Sequence, residues 1–125
     1  MPYEFNWESS RTVCVRFFGV VTDDDLSAAT HDLYNNERSD LVREAYWDFS
    51  SIDDFIINPE SVEQLAIEDF GASTYMKPMK AAFIIQHSAL AELADGYIGT
   101  METLGSPWKN RLFSTMEEAR KWMAA

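Results

Sequence analysis

Residues 43–64 read REAYWDFSSIDDFIINPESVEQ, and the rest of the chain is organised around them. Ala45, Tyr46, Trp47 and Phe49 make 44–49 apolar enough for a strand inside a sheet. An acidic, hydroxyl-rich loop spans 50–60. Ser61, with Gln64 three residues later, then forms a capping box that opens a helix. Val62, Leu65, Ala66 and Phe70, or Ile67 in its place, turn toward the sheet, and Gly71 is the expected stop. In α/β chains, ligands and partners meet the carboxyl ends of strands and the amino ends of the helices that follow. That placement makes Asp48, Ser50 and Ser61 binding candidates.

On the amino-terminal side, Tyr3, Phe5 and Trp7 alternate with Glu4, Asn6 and Glu8, the period of two expected of a strand. Val13, Val15 and Phe17 alternate with Cys14, Arg16 and Phe18, so the two runs predict an antiparallel hairpin that Gly19 ends. Thr22 and the three aspartates after it cap a helix with Leu26, Ala29, Thr30 and Leu33 on its inner stripe. On the carboxyl-terminal side, 80–86 (KAAFIIQ) is the most continuously apolar strand, expected at the sheet centre. Ser88 caps a helix carrying Leu90, Leu93, Ala94, Tyr97, Ile98, Met101 and Leu104, which Gly105 and Pro107 end. A short strand at 111–113 leads into a last helix that Ser114 and Glu117 cap, with Ala119, Trp122 and Met123 inward. The expected fold is α/β, ordered β-β-α-β-α-β-α-β-α. It joins an amino-terminal antiparallel hairpin to a mostly parallel mixed sheet, in one domain over 1–125.

At 125 residues and 46% hydrophobic content the chain can bury a core without staples. One cysteine excludes an intrachain disulfide and paired-cysteine zinc sites, which favours a reducing compartment. No apolar run approaches the roughly 20 residues of a membrane span. The opening MPYEFNWESS lacks the basic-then-apolar pattern of a signal peptide, so a soluble, cytoplasmic protein is expected. Net charge of -11 argues against nucleic acid and anionic membranes as partners. The acidity is concentrated: residues 1–76 carry 16 acidic and 4 basic side chains, against 5 and 6 in 77–125. A solvated acidic surface is the stronger reading, with docking of a basic partner the alternative.

Two local patterns carry a family resemblance. One is the ending, RLFSTMEEARKWM at 111–123; the other is the strand ending at Asp48, its loop and its helix. In these and in its order of elements the chain resembles the SpoIIAA-like proteins, the branch of the STAS fold named after anti-sigma-factor antagonists. The resemblance implies a non-catalytic regulatory domain. It also implies a phosphorylatable serine in an Asp-Ser-Ser-Gly type turn opening the switch helix, and here the chain departs, because 48–61 (DFSSIDDFIINPES) holds no such turn at the matching distance. Ser61 is the nearest hydroxyl at a helix start. A capping role accounts for it better, since Glu60 would repel an incoming phosphate.

Other residues invite chemistry without forming a set. His87 falls at the end of the expected central strand, where a histidine could titrate near neutral pH, but no carboxylate stands at a recognisable spacing. Asp48, Asp53 and Asp54 supply oxygen ligands in a pattern that matches no metal loop. Cys14 reads as a buried small apolar group. No Gly-rich phosphate loop, GxSxG elbow or HExxH motif occurs, and no cofactor is implied. Tyr75, Met76 and Met79, with Tyr97 and Met101, are candidates to line an apolar pocket or a dimer face. The reading is a non-catalytic, cytoplasmic STAS-like domain that binds a protein partner or small apolar ligand, as a homodimer. The alternative is a small hydrolase or metal-dependent enzyme using His87 with Asp48 or Asp53.

Overall fold

A computed structural model describes residues 2–125. Strand β1 (Tyr3–Trp7) pairs antiparallel with β2 (Thr12–Thr22), from Tyr3 opposite Phe17 to Trp7 opposite Val13. Helix α1 (Asp23–Tyr34) and a 3-10 turn at Ser39–Leu41 lead to β3 (Glu44–Ile56). Then follow α2 (Pro59–Ser73), β4 (Lys80–Ile84), α3 (Ser88–Leu104), β5 (Lys109–Phe113) and α4 (Met116–Ala124). The five strands lie in the order β1-β2-β3-β4-β5, parallel from β2 onward. Among the described residues, no helix is long and apolar enough to cross a membrane.

Each crossover steps one strand in the same direction. Crossovers of one hand that never reverse place every crossover helix on one face of the sheet. Accordingly α1, α2 and α3 share one core with Val13, Val15, Phe17, Ala45 and Phe49. The alternate residues Cys14, Tyr46, Ala82 and Ile84 face the other way and pack with Ala119 and Met123 of α4. Arg120 of α4 reaches the hairpin, its guanidinium donating to both carboxylate oxygens of Glu8 at 2.5 and 2.6 Å and lying over the Tyr46 ring.

Several boundaries differ from the sequence reading. The stretch expected as a loop at 50–60 is strand through Ile56, because residues Ser51 to Ile56 pair with Phe18 to Thr22 of β2. That pairing needs β2 to run past Gly19. It does so through register shifts on either side, with Gly19 at φ 70°, where a side chain would be strained. Gly71 lies within α2, whereas Gly105 does end α3 in the left-handed conformation. The last helix begins one residue late, capped by Thr115 with Glu118. Thr22 caps α1 as expected, in a full capping box with Asp25.

Helix α2 starts earlier than the Ser61 signature implied. Asn58 is its N-cap, accepting the Glu60 amide at 2.9 Å, and Pro59 occupies the first turn, where a missing N–H costs nothing. Ser61 therefore lies inside the first turn. Asn58→Ala should cost about 1 kcal/mol in urea unfolding, and Ser61→Ala only a few tenths. Equal losses would contradict this cap assignment.

Candidate functional site

Three helices and the sheet enclose one apolar pocket. Leu26 and Thr30 reach it from α1, Val62, Leu65 and Asp69 from α2, and Leu90, Leu93, Ala94 and Tyr97 from α3. Trp47, Phe49 and Phe83 form its floor on the sheet. The residues come from one stripe of each helix: 62, 65 and 69, and 90, 93, 94 and 97, follow the helical spacing. The cavity holds about 80 Å³ and opens in part to solvent.

Its polar wall is Asp69, a carboxylate only 5% exposed. Tyr34 of α1 donates its hydroxyl to Oδ1 and Tyr97 of α3 donates to Oδ2, both at 2.6 Å. One side chain thus ties three helices together. Burial raises the Asp69 carboxyl from its ordinary 3.8 to about 6, against the two tyrosine hydrogen bonds, which lower it. Both tyrosine hydroxyls are pushed far up, first by burial and then by the neighbouring Asp69 charge, so they remain protonated donors. Thr30, also in the lining, spends its hydroxyl on the Leu26 carbonyl at 2.9 Å.

A second, wider cleft of about 430 Å³ adjoins the pocket and shares Leu26 and Leu65 with it. Asp23, Asp24, Glu60 and Glu68 line it, together with Ser61. Asp23 also accepts the Asn58 amide at 2.8 Å, which joins the start of α1 to the start of α2.

The residues singled out from sequence are dispersed by this architecture. Asp48 lies on the α4 face, its Oδ1 accepting both the amide and the hydroxyl of Ser50, at 2.9 and 2.6 Å. Ser61 sits in the acidic cleft. His87 is exposed at the N-cap of α3, makes no side-chain cap bond, and meets the Phe55 ring edge-on at 5.6 Å. No described pocket contains two of Asp48, Ser61 and His87. The reason is the alternation of a strand: Asp48 lies mid-strand in β3 and turns to the α4 face, whereas Ser61 and His87 belong to α2 and the start of α3 on the other face.

Tyr75 is 79% exposed after α2, and Met79 is buried near Arg11 and Arg43 at the opposite end of the strands, so neither touches the apolar pocket. Of that apolar set only Tyr97 lines it. Cys14 is buried, and burial, with the Asp48 and Glu8 charges, pushes its thiol up to about 11. Among the described residues, no three His, Cys, Asp or Glu side chains stand close enough to hold a metal ion.

Sequence reasoning passed over Asp69, although a signal was there. A lone carboxylate on the stripe of Val62, Leu65 and Ala66, with tyrosines on the inner stripes of α1 and α3, breaks the apolar pattern where a charge would need partners.

No family model matches the chain, and no curated protein matches it in sequence. Among solved structures, it is similar to a Bacillus protein described as the cell fate determinant SpoIIAA in the phosphorylated form. The two are 14% identical, with a TM-score of 0.58, over 97% of this chain and 98% of that one. At that identity the likeness speaks to architecture alone. A mixed five-stranded sheet, a leading antiparallel hairpin and four helices in this order give the chain a SpoIIAA-like, STAS-type fold.

Proposed function

We propose that this is a non-catalytic binding domain that holds a small ligand with an apolar body between the sheet and helices α1, α2 and α3. The observation that carries the reading is the apolar pocket itself, whose polar wall is a buried carboxylate secured by two tyrosines. Burying a charge is costly, and a domain that needed only stability would do better with an apolar residue at that position. The likeness to a cell fate determinant supports a regulatory role, in which the ligand tightens or loosens three helices that all lean on Asp69. A cytoplasmic setting suits the single unpaired Cys14.

A phospho-switch is the weaker regulatory reading. Ser61 stands in a cleft with Asp23, Asp24, Glu60 and Glu68, where an added phosphate meets like charge.

The test is thermal unfolding of the full chain with short neutral alcohols, hexan-1-ol first, alongside native mass spectrometry for small molecules that copurify. A ligand at 100 times its Kd should stabilise the fold by about 2.7 kcal/mol. Ala94→Phe, which fills the pocket, should lose that response. If no apolar compound stabilises the unaltered protein, the reading fails whatever the variant does.

A further inference from the structure

We propose that the pocket selects a small primary amine with a short alkyl or aryl tail, its ammonium seated against the Asp69 carboxylate. This deepens the binding role above and rests on it.

The first argument is unused acceptor capacity. A carboxylate offers about four acceptor sites, and Asp69 gives one on each oxygen to a tyrosine hydroxyl. The remaining sites belong to a charge that lines the pocket and, among the described residues, has no cationic partner within hydrogen-bonding reach. The groups acting on it are Tyr34 and His31 from α1, Glu68 from α2 and Tyr97 from α3; the sheet presents only Trp47, Phe49 and Phe83. An ammonium would supply the missing counter-charge and up to three donors.

The second argument is the chemistry of the walls. Among the described residues, neither the pocket nor the adjoining acidic cleft is lined by any Lys, Arg or His. Four aromatic residues, Trp47, Phe49, Phe83 and Tyr97, line the pocket, and an aromatic lining is compatible with a cation. The four carboxylates of the cleft raise the local concentration of cations and repel a carboxylate or phosphate ligand. Size supplies the third argument. About 80 Å³ is well below the roughly 150 Å³ that admits a benzene ring to a closed cavity, so only a short chain or part of a ring fits inside, the rest lying in the opening.

Isothermal titration of the full chain with n-hexylamine, hexan-1-ol and hexanoate at pH 7.5 tests this. Hexylamine should bind at least tenfold tighter than hexanol, and hexanoate weakest. Asp69→Asn, its folding checked by circular dichroism, should bring hexylamine down to the level of hexanol, while Glu68→Gln keeps the preference. Should Asp69→Asn not fold, the unaltered protein at pH 5 replaces it, since protonation of Asp69 must narrow the preference by about tenfold relative to pH 7.5. Hexanol binding as tightly as hexylamine would overturn the amine assignment and leave the apolar pocket standing. Loss of the preference in Glu68→Gln but not in Asp69→Asn would overturn the seat at Asp69. Binding of none of the three would overturn the pocket reading itself.

Discussion

Phe17→Ala should destabilise the protein by about 3–5 kcal/mol, the largest loss expected from any single side chain here. The ring is fully buried in the middle of β2. It stacks on Phe49, with centroids 4.5 Å apart and planes 2° from parallel, meets Tyr3 edge-on at 6.0 Å, and stacks toward Trp47 at 6.4 Å. These contacts join β1, β2 and β3 on the face that the three crossover helices cover. Truncation removes the transfer energy of the ring and leaves a void that Phe49 and Trp47 cannot both close while flanked by helices. Urea unfolding at pH 7.5 should show a lower midpoint with an unchanged slope. A loss under about 1 kcal/mol would mean that the ring is not enclosed as described.

The second large effect is a pH dependence specific to Asp69. Its folded carboxyl titrates near 6 against an ordinary 3.8, so the folded state holds the proton more tightly than the unfolded chain does. The stability this contributes is fully present below about pH 3.8 and is lost as pH rises through about 6. At about 1.4 kcal/mol per pH unit, the loss is on the order of 2–3 kcal/mol. Other carboxylates titrate in the same window, so the measured quantity must be the difference between the unaltered protein and Asp69→Asn. Relative to that variant, the unaltered protein should lose this amount between pH 4 and 7.5, and a flat difference would contradict a strained, buried carboxylate. An ammonium ligand should return part of the loss at pH 7.5, which links this measurement to the ligand assignment.

The elements themselves were legible in the sequence because their signals are local. Alternation in 3–8 and 12–18 marked the hairpin, Thr22 and the aspartates after it marked the start of α1, and Gly105 marked the end of α3. Each depends on residues within a turn or two of one another. The inner stripes of α2 and α3 were equally plain, and the alternation of strands and helices after the hairpin implied a mostly parallel sheet.

What failed were features that depend on distant neighbours. Ser50, Ser51, Asp53 and Asp54 carry turn chemistry, yet 50–56 is strand, since β2 continues past Gly19 and offers it a partner. Ser61 and Gln64 fit a capping box on paper, but Asn58 and Pro59 reach the backbone first. His87 and Asp48 were expected at strand ends, but β3 runs on to Ile56 and leaves Asp48 mid-strand on the α4 face, while His87 lies beyond β4 at the N-cap of α3.

The sequence alone determined an acidic α/β chain with one hairpin, four helices and a core large enough to fold, because hydrophobic period and capping are written residue by residue. Only the tertiary structure decided where binding chemistry could gather. Asp69 meets Tyr34 across 35 positions and Tyr97 across 28, a meeting that no local pattern encodes. It follows from three crossover helices forced onto one face of the sheet, where a carboxylate on an apolar stripe is buried and must find its partners on the helices beside it.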